Sequence, residues 1–250
     1  KIIEPIYLQM TGQQKEIYSL IVEEEINKLY EEFDTITWKH IINKFPYLLK
    51  VIDCPESLKS YVFDNPLITK SLQKWHINND PKIIALDSML DNIIEYKNEK
   101  IIVSDTSPFI LDMLCNRYKK YDPLIIHGSL EDEIDKHRER QEKVDSFNND
   151  KKYKILLLSS LTSARGLNLQ KQCHRLHFYS MPNDAEKWWQ MGDRTNRINS
   201  FEDTIVSYFT YPDSIDAVRV NRTLNRVNLA EKLGKDISQE ELFNLLKGIE

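Results

Sequence analysis

Residues 154–200 read KILLLSSLTSARGLNLQKQCHRLHFYSMPNDAEKWWQMGDRTNRINS. An apolar run from Ile155 to Leu158 ends in Ser159 and Ser160 and opens into a loop carrying Gly166 and Asn168. A second apolar run (Leu176, Phe178, Tyr179) follows. Then comes a helix-like stretch in which Gln190, Arg194 and Arg197 recur at spacings of four and three. Those spacings place all three on one helix face. Two arginines on one face beside a strand-end loop suit a phosphate, because the guanidinium fork matches phosphate oxygens and never loses its charge. In phosphoryl transfer an arginine so placed stabilises charge developing on the transferred group.

Outward from this stretch, apolar runs and amphipathic runs alternate. The pattern predicts helices over 84–96, 108–118, 132–147 and 185–198. Between them it predicts strands over 101–104, 124–127, 154–159, 175–179 and 204–209. Near-continuous apolar strands between amphipathic helices mean a parallel sheet covered on both faces, an α/β fold. Such sheets bind ligands outside the carboxyl ends of their strands, where Ser104, His127, Ser160 and Thr162 fall. Ahead of this region a short extended stretch at Ile6, Tyr7 and Leu8 leads into an amphipathic helix with Ile17, Leu20 and Ile21 on its apolar side. Residues 33–79, aromatic-rich and broken by Pro46, Pro55 and Pro66, read as short packed helices. The predicted organisation is a lead-in and helical subdomain over 1–80, the sheet domain over 81–211 and a C-terminal helical brace over 212–250.

At this point the chain resembles a known family. TSARGLNL followed by QMGDRTNRI is similar to the fifth and sixth helicase motifs of superfamily-two ATPases, and most similar to the Swi/Snf-type DNA translocases. Their usual forms are roughly T-x-A-G-G-x-G-x-N-L and Q-x-x-x-R-x-x-R-x-G-Q. Arg140 to Asn148 resembles that family's R-Q-x-x-I-x-x-F-N helix, and His127-Gly128-Ser129 its D-G-S loop. Residues 81–83 and 100–104 resemble the approach to the fourth motif, and 206–216 the strand and turn after the sixth. Met10 to Tyr18 is similar to the family's lead into its second lobe, and Phe45 to Leu49 to its H-P-Y-L-L run, with Phe45 in place of histidine. The chain departs from the pattern at Arg165-Gly166, where two glycines are usual, and at Asn199-Ser200, where Gly-Gln is usual.

The resemblance implies a RecA-like parallel sheet with helices on both faces and helical extensions at both ends. It implies the second lobe of an ATP-dependent double-stranded DNA translocase. ATP and Mg are then held mainly by a first, N-terminal RecA-like lobe of the same protein. On the matching positions Arg197 and Arg194 contact the γ-phosphate, and Gln190 the nucleotide or its water. Gly166 and Asn168 shape the loop that senses nucleotide and nucleic acid. Ser104, Thr106, His127, Ser160 and Thr162 touch the phosphate backbone of the tracked strand, contacts that position without reading sequence. Trp188 and Trp189 either stack on a base or adenine, or pack in the core or between lobes.

The chain carries no phosphate loop. Such a loop is G-x-x-x-x-G-K-[ST], and the only Gly-Lys pair here, Gly234-Lys235, is followed by Asp236. Asp132-Glu133-Ile134-Asp135 imitates a magnesium-holding D-E-x-D box. It follows the loop after His127, in an acidic helix-like stretch, instead of ending a buried strand, and it reads as coincidence. The 250 residues therefore form an enzyme part that is expected not to turn over ATP alone. The chain begins at Lys1 and reads as a piece of a longer protein.

A net charge of −5 argues against wholesale polyanion binding but leaves room for a local basic face. Lys151, Lys152, Lys154, Arg165, Lys171 and Arg175 crowd the loop just described, and Arg219, Arg222 and Arg226 form a second cluster. Cys54, Cys115 and Cys173 lack metal-ligand spacing and read as reduced thiols, which makes an intracellular protein the expectation. No membrane span or signal peptide is visible. Two other readings stay open. One is a lobe of an RNA or single-strand helicase; the other is a degenerate lobe serving as a nucleic-acid or protein-binding module.

Overall fold

Two runs of five residues, Ile101–Asp105 and Ile155–Ser159, are buried throughout, as strands inside a parallel sheet must be when helices cover both faces. The structure is a computed structural model. It describes residues 2–32, 46–127, 134–160, 173–195 and 203–225, with the backbone alone for 134–137, 193–195, 222 and 225. In chain order the elements are β1 (Ile2–Tyr7), α1 (Gly12–Glu32), α2 (Pro46–Asp53), α3 (Pro66–Lys74), α4 (Pro81–Leu90), β2 (Ile101–Asp105) and α5 (Pro108–Arg117). They continue as β3 (Leu124–Ile126), α6 (Ile134–Asn149), β4 (Ile155–Ser159), β5 (Arg175–Phe178), α7 (Ala185–Thr195), β6 (Ile205–Thr210) and α8 (Ile215–Asn225).

The strands form one sheet in the order β1-β6-β5-β2-β4-β3. β2 pairs in parallel with β4, Ile101 opposite Ile155 and Asp105 opposite Ser159, and on its other side with β5, Ser104 opposite Phe178. β3 and β6 extend the parallel set outward. The fold is the RecA-like α/β arrangement.

The edge strand β1 exceeds the stretch expected from Ile6, Tyr7 and Leu8. It begins at Ile2, whose amide donates to the Thr204 carbonyl at 2.9 Å. Pro5 explains why the pattern was weak: proline cannot donate to a ladder and is tolerated on an edge, and this strand is mostly exposed.

The chain divides into two compact units, residues 1–6 with 86–209 and residues 7–85 with 210–250. The first is the sheet unit. In it α4 runs on through a π turn over Asp91–Tyr96, and Asn98 then takes a left-handed φ of 55° as the chain turns toward β2.

The second unit is built on α1. Thr11 caps that helix by accepting from the Gln14 amide at 3.2 Å. Ile17, Ile21, Val22 and Leu29 of α1 are buried with Leu48, Val51, Ile52, Leu72, Trp75 and Tyr211. Asn65 caps α3, and Asp80 accepts from the Lys82 amide at 2.9 Å at the start of α4.

A chain of ions runs through this unit. Arg219 reaches both carboxylate oxygens of Asp53 at 2.7 Å with its terminal nitrogens, and its Nε donates to Asp216 at 2.7 Å. Lys82 adds a contact to Asp53 at 3.0 Å. Burial works against the charge on Asp53, but Arg219 and Lys82 outweigh it and hold the carboxyl well below the usual range. Arg219, which the sequence grouped with a surface cluster, is a buried structural residue with 6% of its surface exposed. Asp80 lies beside these ions with no exposed surface, and burial raises its carboxyl to about 7.

Candidate nucleotide and nucleic-acid edge

The carboxyl ends of the strands gather the described candidate residues on one edge of the sheet. β2 and β4 end level with one another, and the Ser160 amide donates to the Asp105 carbonyl at 3.1 Å. The Tyr179 amide, just past β5, donates to the Ser104 carbonyl at 2.9 Å. The chain leaves this edge after β3 and after β4 into segments outside the described residues. Asp105 turns the chain into α5, its Oδ1 accepting from the Ser107 amide at 2.7 Å ahead of Pro108. The sequence Asp-Thr-Ser-Pro is the signal for that turn, although Asp105 was not singled out from it.

Helix α7 is seated against this edge by its apolar face. Trp188 has no exposed surface and packs at 4.4 Å from the Phe178 ring and edge-on at 5.5 Å from Tyr208. Of the two alternatives for Trp188, core packing is the one realised. Met191, three residues on, is also buried, and its sulfur accepts from the Ser104 hydroxyl at 3.3 Å. Gln190, two residues past Trp188, lies nearly opposite it around the helix and is half-buried. The Gln190 amide donates to Glu186 at 2.6 Å one turn back. Asp184 caps the helix, accepting from the Glu186 amide at 2.9 Å.

The strand-end groups divide by exposure. Ser104 has no exposed surface and Ser160 has 1%, so both brace the edge from within in this structure. Thr106 is half-buried and stands past the end of β2. His127 is half-buried past β3, with its Nε2 2.9 Å from Asp112 Oδ1 of α5. That carboxylate orients the imidazole, and its position fifteen residues earlier gave no sequence signal. Thr162, Gly166, Asn168 and Arg197 lie outside the described residues, and of Arg194 only the backbone is described.

The basic residues read as crowding the loop after β4 divide differently. Lys154 precedes β4 and Arg175 opens β5, so both stand at the amino edge, at the other end of these parallel strands. A parallel crossover starts and finishes at opposite edges, so nearness to a loop in sequence is not nearness to its binding edge. Among the described residues no cluster of three His, Cys, Asp or Glu side chains could hold a metal ion, and no helix is long and apolar enough to cross a membrane.

Comparison with known proteins agrees with this geometry. Residues 82–199 match the helicase conserved C-terminal domain. The chain is 26% identical over 140 residues to the Zorya protein ZorD of Escherichia coli O139:H28, covering 55% of this chain and 13% of that protein. It is 23% identical over 262 residues to the mouse SWI/SNF-related matrix-associated actin-dependent regulator of chromatin subfamily A member 1, covering 97% of this chain and 23% of that protein. The chain thus spans less than a quarter of the length of these curated relatives. Among solved structures, the Sulfolobus solfataricus SWI2/SNF2 ATPase core in complex with dsDNA superposes with a TM-score of 0.69 at 18% identity. That match covers 98% of this chain and 50% of the other.

Proposed function

We propose that this chain, whose residues 82–199 match the helicase conserved C-terminal domain, is the C-terminal RecA-like lobe of a Swi/Snf-type superfamily-two ATPase and works as half of an ATP-driven double-stranded DNA translocase. The observation that carries this reading is the seating of α7. Trp188 and Met191 fix the helix against the carboxyl edge, and Gln190 stands nearly opposite Trp188 around it. A helix held by its apolar face presents its polar face with little freedom, which is what a transition-state contact requires. Arg197, and Arg194 beside it, meet the γ-phosphate of ATP bound by a first lobe when the two lobes close, and Gln190 contacts the nucleotide or its water.

Gly166 and Asn168 belong to the loop that couples nucleotide to nucleic acid. Thr106, His127 and Thr162 grip the phosphate backbone of the duplex, with Ser104 and Ser160 supporting them from below. The double-stranded partner is favoured because the structurally similar Sulfolobus core was solved with dsDNA. ATP and the magnesium that accompanies it are held mainly by the first lobe.

The test is ATP hydrolysis by the full-length parent protein with duplex DNA, single-stranded DNA and RNA, wild type against Arg197→Ala. Loss of one transition-state arginine is expected to lower duplex-stimulated turnover by about 1000-fold or more. Stimulation by RNA or single strands alone would replace the duplex assignment. Turnover indifferent to Arg197, or none in the wild type, would leave a binding module.

A further inference from the structure

A second polar concavity lies at the amino edge of the sheet, away from every residue assigned above. A cavity of about 290 Å³ is lined there by Lys100, Lys151, Lys154 and Arg175, facing two carboxylates, Glu99 and Asp203. Its rim is shaped by left-handed Asn98, which follows the π turn, and π turns are frequent at functional sites.

The charges in this cavity are unevenly matched. Lys100 is 6% exposed, and its ammonium donates to the carbonyls of Phe147 and of Asp150, the latter at 2.7 Å. Lys154 donates to the Asn98 carbonyl at 3.2 Å and the Asn98 side chain at 2.6 Å. Lys151 is exposed. None of these three ammonium groups pairs with a carboxylate among the described residues. Arg175 commits its Nε to Glu99 at 2.5 Å. Buried charges in proteins are ordinarily paired, and carbonyl dipoles alone compensate an ammonium poorly. Burial, and after it the nearby charge of Lys154, both push Lys100 below its ordinary value.

We propose that this amino-edge cavity is a second anion site that binds a phosphate group, with Lys100 at its floor and Lys151, Lys154 and Arg175 around it. Several cations converging on one concavity call for more than one negative charge and several acceptor oxygens, which a phosphate supplies and a single carboxylate does not. The phosphate belongs either to free orthophosphate or to the backbone of a nucleic-acid strand.

Orthophosphate is titrated calorimetrically into the wild-type protein and into the Lys151→Gln/Lys154→Gln variant at matched ionic strength. A fluorescent oligonucleotide duplex is titrated in parallel. Both substituted side chains are at least partly exposed, and a matching melting temperature checks that the variant folds. The expected result is saturable orthophosphate binding in the wild type, weakened about tenfold or more in the variant. If duplex affinity stays unchanged, the site takes free phosphate. If it falls by a similar factor and orthophosphate displaces the duplex, the site takes strand backbone. Wild-type protein that binds no orthophosphate, or a variant that binds it as well as wild type, overturns the proposal.

Discussion

In the sheet unit, β2 and β4 bury ten consecutive-register residues of which only Asp105, at the very end, is ionisable. In the second unit Asp53, Asp80, Lys82, Asp216 and Arg219 are largely buried in the same unit as Ile17, Leu48 and Val51. Apolar strands gain stability from area removed from water, and each contribution is local and forgiving. A buried ion network is conditional. It is tolerable while every member is paired and costly once one is removed. One interior should therefore respond to lost volume and the other to lost charge.

The sharpest way to break this comparison is Arg219→Ala, which strands Asp53 and Asp216 without their shared guanidinium. We expect a loss of about 3–5 kcal/mol in urea unfolding. A loss below 1 kcal/mol would mean that the network is not what holds this unit. Leu157→Ala in β4, fully buried, is the matching test of the sheet. It should cost about 2–5 kcal/mol, set by how far the cavity collapses, and should be insensitive to pH where Arg219→Ala is not.

Asp80 sharpens the contrast through pH. Its carboxyl, raised to about 7 by burial, keeps a proton in the folded chain at pH values where the unfolded chain has lost it. Its contribution is therefore most favourable below about pH 4 and declines as the pH rises toward 7. Asp53 has the opposite sign: its lowered carboxyl stabilises above the ordinary carboxylate range, and that stability is lost as the pH falls through it. Asp80→Asn keeps an acceptor for the Lys82 amide. Comparing melts of the two proteins from pH 4 to 8 should show the variant gaining on wild type by on the order of 4 kcal/mol across the window. A constant difference would exclude Asp80 as the titrating group.

The smallest effect is expected at the partly exposed pair of Arg117 and Asp87, 2.6 Å apart in the sheet unit. Arg117→Ala should cost no more than about 1 kcal/mol in the same denaturation assay, and less in high salt.

What was legible followed from periodicity. The five expected strands of the sheet appear within a residue or two of their predicted ends, because an all-apolar run has one environment available to it. The Trp188-Trp189 pair was ambiguous because a side chain's face is a matter of helix phase, and the partners that fix Trp188, Phe178 and Tyr208, lie on two strands. Edge strand β1 was clipped because Pro5 weakens its pattern, and Lys154 and Arg175 were put at the wrong edge because strand direction is not visible in a list of neighbours.

The sequence alone determined the alternation of strands and helices, the family resemblance and the face shared by Gln190 and Arg194, since each depends on short-range spacing or order. Only the tertiary structure decided that Ser104 locks Met191, that Asp112 orients His127, and that Arg219 closes on Asp53 across 166 residues. Those contacts are made between elements far apart in the chain. A pairing of charges or hydroxyls at such separation leaves no period in the sequence, and it exists only once the layers have packed.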